Sequence, residues 1–348
     1  MMLERLFGDL TTAGRATLGA FLAILLALPF VASSYVNTVA IICLYLAFLG
    51  QAWNLMFGFA GLLSVGHALF VGLGAYTSAY LFVRHQVPPV IGILASVALA
   101  GTAAALIGSL AFRFAIGGVY FALLTIAFAE FTRILVDHAK FLGGTEGLFL
   151  PVGATSRQGI DLIHIRGWPA MYYYLILALC LGALLLCRLL LASRMGFYWR
   201  AIRDNPDAAA AAGVPIFRYR MYAVMISAAL AGIAGVFYAF YYNNLFPEQV
   251  FGIERSVEVT LAPIVGGVGT AFGPILGAFV LTPLGESLSA LVRWLQAQGI
   301  IAKQVRVDGV KQLFFGLAVM GIVLAQPRGL WPWICRRLRL FRPPSGQI

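Results

Sequence analysis

The sequence predicts an all-α polytopic membrane protein of about ten transmembrane helices, and three observations carry that reading. Of 348 residues, 61% are hydrophobic and 11% charged, whereas a soluble domain carries about a quarter charged residues. No Asp, Glu, Lys or Arg occurs from Ala16 to Val83 or from His85 to Phe112, and one crossing takes about 20 apolar residues. The apolar runs are unbroken, without the alternating segments of a membrane β-barrel. The net charge of +11 is mostly arginine at the ends of apolar runs, a positive-inside pattern and not a nucleic-acid surface.

Runs bounded by charge, Pro or Gly place candidate crossings at 17–34, 36–57, 66–84, 88–114, 117–139, 169–193, 220–242, 270–296 and 307–326. The first has Arg5 and Arg15 ahead of it and Ala32-Ser33-Ser34 behind, like a signal peptide. Its length and the spans that follow favour an uncleaved helix. A tenth stretch, 254–267, covers only about 20 Å of a core about 30 Å thick. It is either a shortened crossing or a re-entrant segment, which would leave nine crossings.

Arginine sets the orientation. Arg188, Arg194, Arg200, Arg203, Arg218 and Arg220 crowd one loop, and Arg328, Arg336, Arg337, Arg339 and Arg342 the tail. Both face the cytoplasm by charge bias, which requires an even number of crossings between them. The short stretch must then cross, both termini are cytoplasmic, and the 140–168 loop lies outside. Residues 1–330 form one transmembrane domain with a cytoplasmic loop at 193–220, and 331–348 form a basic tail.

Within that loop, Asn205 is suited to cap a helix, Pro206 to open it and Asp207 to complement its dipole. Ala208 to Ala212 propagate it, and Gly213 and Pro215 stop it. A two-turn helix almost bare of side chains predicts a knob that another protein's groove can approach closely; a solvated connector is the plainer alternative.

A glycine-rich string, Gly58-Phe-Ala-Gly61-Leu-Leu-Ser64-Val-Gly66-His67-Ala68, predicts a broken helix start followed by close packing through Gly72 and Gly74. Val65-Gly66-x-Ala68-x4-Leu73-Gly74-Ala75-Tyr76 recurs as Val268-Gly269-x-Ala271-x4-Leu276-Gly277-Ala278-Phe279 at an offset of 203, the mark of an internal repeat. The crossing count makes the two copies parallel. Glu130 and Arg133, three apart inside an apolar run, share a helix face that must meet protein or water, as a buried pair or a pathway contact. Glu254, Arg255 and Glu258 fall at the outer end of the short stretch.

His67 has no partner ligands in sequence, and Cys43, Cys180, Cys187 and Cys335 lack metal or disulfide spacing, so no metal site is expected. Lys140, Lys303 and Lys311 are the only lysines and none adjoins a glycine. The chain has no phosphate-binding loop and no catalytic motif, and is not expected to be an enzyme.

The strings Gly58 to Ala68 with Gly72-x-Gly-Ala-Tyr76, Tyr120-Phe-Ala-Leu-x-Thr125-x-Ala-Phe-Ala-Glu130, Arg200-Ala-Ile-Arg203 and Gly266-Gly-Val-Gly-Thr-x-Phe-Gly-Pro274 together resemble branched-chain amino-acid ABC importer permeases, LivM-like subunits above all. The resemblance spans about residues 36–330. It implies a multi-pass permease of the bacterial inner membrane that passes hydrophobic amino acids from a periplasmic binding protein. The implied partners are a homologous second permease and two cytoplasmic ATPases, which hold the ATP and magnesium; this chain needs no cofactor. It further implies ATPase coupling through Arg200, Arg203, Asp204, Asp207, Ala209, Ala210 and Gly213, with Asp207 only a loose match to the acidic residue opening that motif. Pathway or packing roles fall to Ser64, Gly66, His67, Thr125, Glu130, Arg133, Glu258, Gly266, Gly267 and Gly269. Similar architectures import urea, amides and aromatic acids. A self-sufficient secondary transporter would need more ionisable residues along its path, and a purely structural subunit leaves the Asn205–Gly213 helix unaccounted for.

Overall fold

The computed structural model describes residues 11–151, 169–299 and 307–338. Arg5, Lys303, Arg339, Arg342 and most of the 140–168 loop lie outside the described residues. Every predicted apolar run is a helix. Seven are long and apolar enough to cross a membrane: α1 (Thr12–Val31), α2 (Ser34–Asn54, continued by a π-helical turn Leu55–Phe59), α4 (Pro89–Arg113), α5 (Gly118–His138), α6 (Pro169–Ala192), α9 (Ile216–Tyr242) and α12 (Gly273–Ala297). The other three predicted runs are α3 (Ala68–His85), α11 (Ile253–Gly266) and α13 (Val307–Ala325), shorter or less apolar. Between them lie α7 (Arg194–Asp204), α8 (Pro206–Ala211) and α10 (Pro247–Phe251), and α14 (Leu330–Leu338) follows α13. The only described strands, β1 (Leu148–Phe149) and β2 (Asn244–Leu245), pair antiparallel.

Local chemistry explains the boundaries. Thr11 and Ser33 cap α1 and α2 with their hydroxyls, which separates the first two runs. Pro29 has no N–H to offer the carbonyl of Leu25, and the Tyr173 hydroxyl donates to that oxygen at 2.7 Å instead. α2 and α9 are the most buried of the crossing helices, and each is flanked by a pair from the other half of the chain.

α9 runs parallel to α3, where Phe82 meets Phe240 and Gly74 meets Gly232, and antiparallel to α4, where Gly232 meets Ser96 and Ala100 and Gly108 meets Met221. α2 runs parallel to α11 and antiparallel to α12: Gly50 lies against both Pro263 and Pro274, and Asn54 against Thr270. α2 and α9 are themselves antiparallel, through Ala52 with Ser227 and Tyr45 with Phe237. The group α9–α3–α4 is therefore related to α2–α11–α12 by an inversion. This corrects the repeat read from the sequence. The two matching strings begin α3 and α12, which do run the same way, but the counterpart of α3 is α11. Small residues recur wherever two backbones touch, and the glycines of both strings stand at such contacts. Any Cβ on Gly66, Gly74, Gly235, Gly266 or Gly277 would collide with a neighbouring backbone carbonyl.

Candidate functional site

The predicted residues fall into a polar junction, a glycine turn with the α7–α8 face beside it, and two charged groups on separate helices. The first is a polar junction where α3 and α11 begin. The chain leaves the π-helical turn, runs without helix from Ala60 to His67 and re-enters a helix at Ala68. The backbone N–H of Ala68 donates to Ser256 Oγ at 3.1 Å, so α3 starts against the first turn of α11. Thr125 Oγ1 accepts from the N–H groups of Val65 and Gly66, both at 3.2 Å, and Trp53 Nε1 donates to the Ser64 carbonyl at 2.7 Å. Irregular backbone in a membrane protein survives only when its polar groups are met in this way. His67 is fully buried, with Nε2 3.5 Å from Ser227 Oγ. Ser227 donates its own proton to the Ala52 carbonyl, so toward His67 Nε2 it can act only as an acceptor. Ser64, Gly66, His67 and Thr125 are thus brought together. Ser227 and Ser256, which complete the junction, stand in helices that read as purely apolar or interfacial. The junction holds the starts of α3 and α11 in contact.

The second place is the turn joining α11 to α12. Gly267 and Gly269 take φ of 128° and 78°, which L side chains rarely adopt. Asn54 clamps this turn, accepting from the Gly269 N–H at 2.8 Å and donating to the Thr270 carbonyl at 2.9 Å. Arg203 reaches the same point from α7: its Nη1 donates to the Gly58 carbonyl at 2.6 Å, and its side chain lies against Gly61 and Gly269. Both broken segments, Leu55–His67 and Gly267–Phe272, are therefore held by one guanidinium. Arg203, expected among the ATPase-coupling residues, thus binds this junction through Nη1 while its side chain stays 38% exposed and also meets Asp204. α7 can present it because Gly196, Trp199 and Ile202 are buried on one face, with Trp199 Nε1 donating to the Tyr219 carbonyl at 2.8 Å. The Met195-x3-Trp199-x2-Ile202 spacing marks that buried face in the sequence.

Next to α7, α8 forms as its sequence dictates. Asn205 Oδ1 accepts from Asp207 and Ala208, both at 3.0 Å, and Gly213, at φ 84°, donates back to Ala210. Asp204, Asp207, Ala210 and Gly213 are exposed, whereas Ala209 is buried and unavailable to a partner. Arg200 folds onto its own helix, donating to the Gly196 carbonyl and lying over Phe197.

The two charged groups stand on α11 and α5. Glu258 pairs with Arg255 at 2.8 Å, and the Arg255 guanidinium lies 5.1 Å over the Tyr238 ring. On α5, Arg133 pairs with Glu130 at 2.5 Å and with Asp137 at 2.6 Å. A buried two-residue pair was one expectation; the structure gives a trio, with the Glu130 side chain 49% exposed. In a crossing helix that face must meet water or a partner and not lipid. Asp137, one turn on, keeps Arg133 paired when Glu130 is removed. Glu130→Ala should therefore cost less than about 1 kcal/mol in a detergent-unfolding titration. Arg133→Ala leaves two carboxylates without a cation and should cost about 1–3 kcal/mol. Equal losses would show that the trio does not act as a unit.

Residues 34–324 match the family model described as branched-chain amino acid transport system / permease component. The high-affinity branched-chain amino acid transport system permease protein LivM of Escherichia coli (strain K12) is 27% identical, over 95% of this chain and 78% of the relative. A probable LivM of Methanocaldococcus jannaschii is 24% identical over 61% of this chain and 60% of the relative. The autoinducer 2 import system permease protein LsrC of Yersinia enterocolitica is 26% identical over 70% and 57%. No solved structure matches the chain. The chain is a multi-pass membrane protein that belongs to the permease-component family of branched-chain amino acid transport systems.

Proposed function

We propose that this chain is one permease subunit of an ATP-driven importer, carrying hydrophobic amino acids that a periplasmic binding protein delivers across a bacterial inner membrane. A homologous permease completes the pathway. Two cytoplasmic ATPases, which bind the ATP and magnesium, dock on the α7–α8 face. Ten crossings with both termini in the cytoplasm complete the reading. Supporting it, α2, α4, α9 and α12 alternate with their neighbours as crossings should, and α11 brings the Gly267–Phe272 turn to the side where α7 lies.

The observation that carries the proposal is α8: a capped knob with its exposed face built of alanine, placed between α6 and α9 and joined through Arg203 to both broken segments. A solvated connector needs neither the caps nor the latch. The test is reconstitution with and without the partner subunits. Alone in liposomes the chain hydrolyses no ATP; with partners, hydrolysis and uptake appear together. Ala210→Trp adds bulk to an exposed site and should change stability by no more than about 0.5 kcal/mol. Insertion and pairing with the second permease persist, while ATPase docking or coupled uptake is lost. Wild-type docking and uptake in Ala210→Trp would make α8 a connector and overturn the coupling assignment.

A further inference from the structure

An open cavity of about 550 Å³ lies between α11 and α13, within the roughly 300–1,000 Å³ range of small-molecule sites. One wall is charged and the rest mostly apolar. Glu254, Arg255 and Glu258 line it from the first two turns of α11, and Val257, Leu261 and Phe315 supply apolar surface. We propose that this cavity binds an aliphatic α-amino acid as a zwitterion, with Arg255 taking its carboxylate, Glu258 and Glu254 its ammonium, and the apolar wall its side chain. The proposal deepens the importer reading above by assigning the substrate class to named residues.

The geometry favours that ligand over its near relatives. Arg255 spends one nitrogen on Glu258, and another lies 3.5 Å from the Tyr238 hydroxyl. A guanidinium carries five N–H donors in a planar fork, so donors remain for a carboxylate. Glu254 and Glu258 are one turn apart on the same helix face, and the next residue after Glu254 is the arginine. A positive and a negative pole therefore sit a few ångströms apart, matching two charges borne on one carbon. Tyr45, 95% buried and packed against the Tyr238 ring, has a hydroxyl with no hydrogen-bond partner among the described residues, which gives the same corner a further polar group. Side-chain exposures of 19% for Arg255 and 29% for Glu258 keep the pair in partial contact with water, so a ligand can reach it. A neutral amide lacks the carboxylate, and a simple carboxylic acid meets two glutamates and brings no ammonium.

The test uses the reconstituted complex carrying Val257→Cys, whose position is exposed. A thiol reagent added from outside reports occupancy of the cavity. Background from this chain is low, because Cys43, Cys180 and Cys187 are buried and partial burial pushes the Cys335 thiol up to about 11, leaving little thiolate at neutral pH; the same complex without the substitution gives the partners' background. Millimolar L-leucine should slow modification of Val257→Cys about tenfold. L-leucinamide, lacking the carboxylate, and 4-methylpentanoate, lacking the amine, should not. Arg255→Gln should abolish protection by leucine without changing the unprotected rate, and Glu258→Gln should do the same should the arginine variant fail to fold. Equal protection by all three compounds, protection by none, or protection surviving both substitutions would overturn the site. ATP-driven leucine uptake by the unsubstituted complex keeps the two readings apart: uptake without protection sinks only this site, and no uptake of any compound sinks the importer reading.

Discussion

Arg203→Ala is expected to leave the ATPases docked and turning over while substrate import falls about tenfold or more per ATP hydrolysed. The α8 knob stands on its own caps and is untouched by the change. Its displacement reaches the membrane helices by three routes: the ends of α6 and α9, the buried face of α7, and the Arg203 guanidinium on the Gly58 carbonyl. The Arg203 guanidinium meets both the segment that leads into α3 and the turn that joins α11 to α12, and Arg188 near the end of α6 also lies over Phe272 of that turn. A charge-assisted hydrogen bond is worth about 1.5–3 kcal/mol, enough to shift a two-state equilibrium about tenfold to a hundredfold. Arg203→Lys keeps the charge and loses the fork, so its import per ATP should fall between the two. The measurement is uptake and phosphate release in the same proteoliposomes. A wild-type ratio in Arg203→Ala would remove the latch from the coupling path.

Gly235→Val is expected to remove the folded protein from the membrane fraction. At Gly235 the backbone of α9 touches that of α3, and an added Cβ would strike the Val71 carbonyl. Backbone cannot swing aside as a side chain does, so the two helices must separate along their length. Gly74, which meets Gly232 one turn away, would lose its contact at the same time. The cost should exceed about 4 kcal/mol, beyond ordinary overpacking of a core. Gly182→Ala is the control: a Cβ there meets nothing within 4 Å, and the better helix former should be neutral or stabilising by up to about 1 kcal/mol. Retained unfolding resistance in Gly235→Val would mean that α3 and α9 are not held by backbone contact.

The elements were legible because membrane insertion is a local decision. A run of apolar residues crosses wherever it stands, so the gaps free of charge from Ala16 to Val83 and from His85 to Phe112 marked α1 to α4 without reference to the rest of the chain. The same holds for α8, whose cap, first-turn proline and left-handed glycine all lie within nine residues of one another. Glu130 and Arg133 were found together for the same reason, being neighbours on one helix face. Asp137 lies one turn further on, on the same helix face, and is equally local to Arg133.

What tertiary structure alone decided is which distant backbones meet. The Trp199-x2-Ile202 spacing marks the buried face of α7, but not that Arg203 reaches Gly58, 145 positions earlier. Nor does a serine in an apolar run announce that it receives the Ala68 N–H or shares a proton network with His67. The inverted relation of α2–α11–α12 to α9–α3–α4 was hidden as well, since the strings that repeat mark close packing on helices that are not counterparts. Sequence determined the membrane class, the helices and the capped knob, because hydropathy and capping act within a few residues. The junction, the latch and the inversion had to come from the fold, because they depend on carbonyls, N–H groups and glycine surfaces that every helix carries and only three-dimensional packing selects.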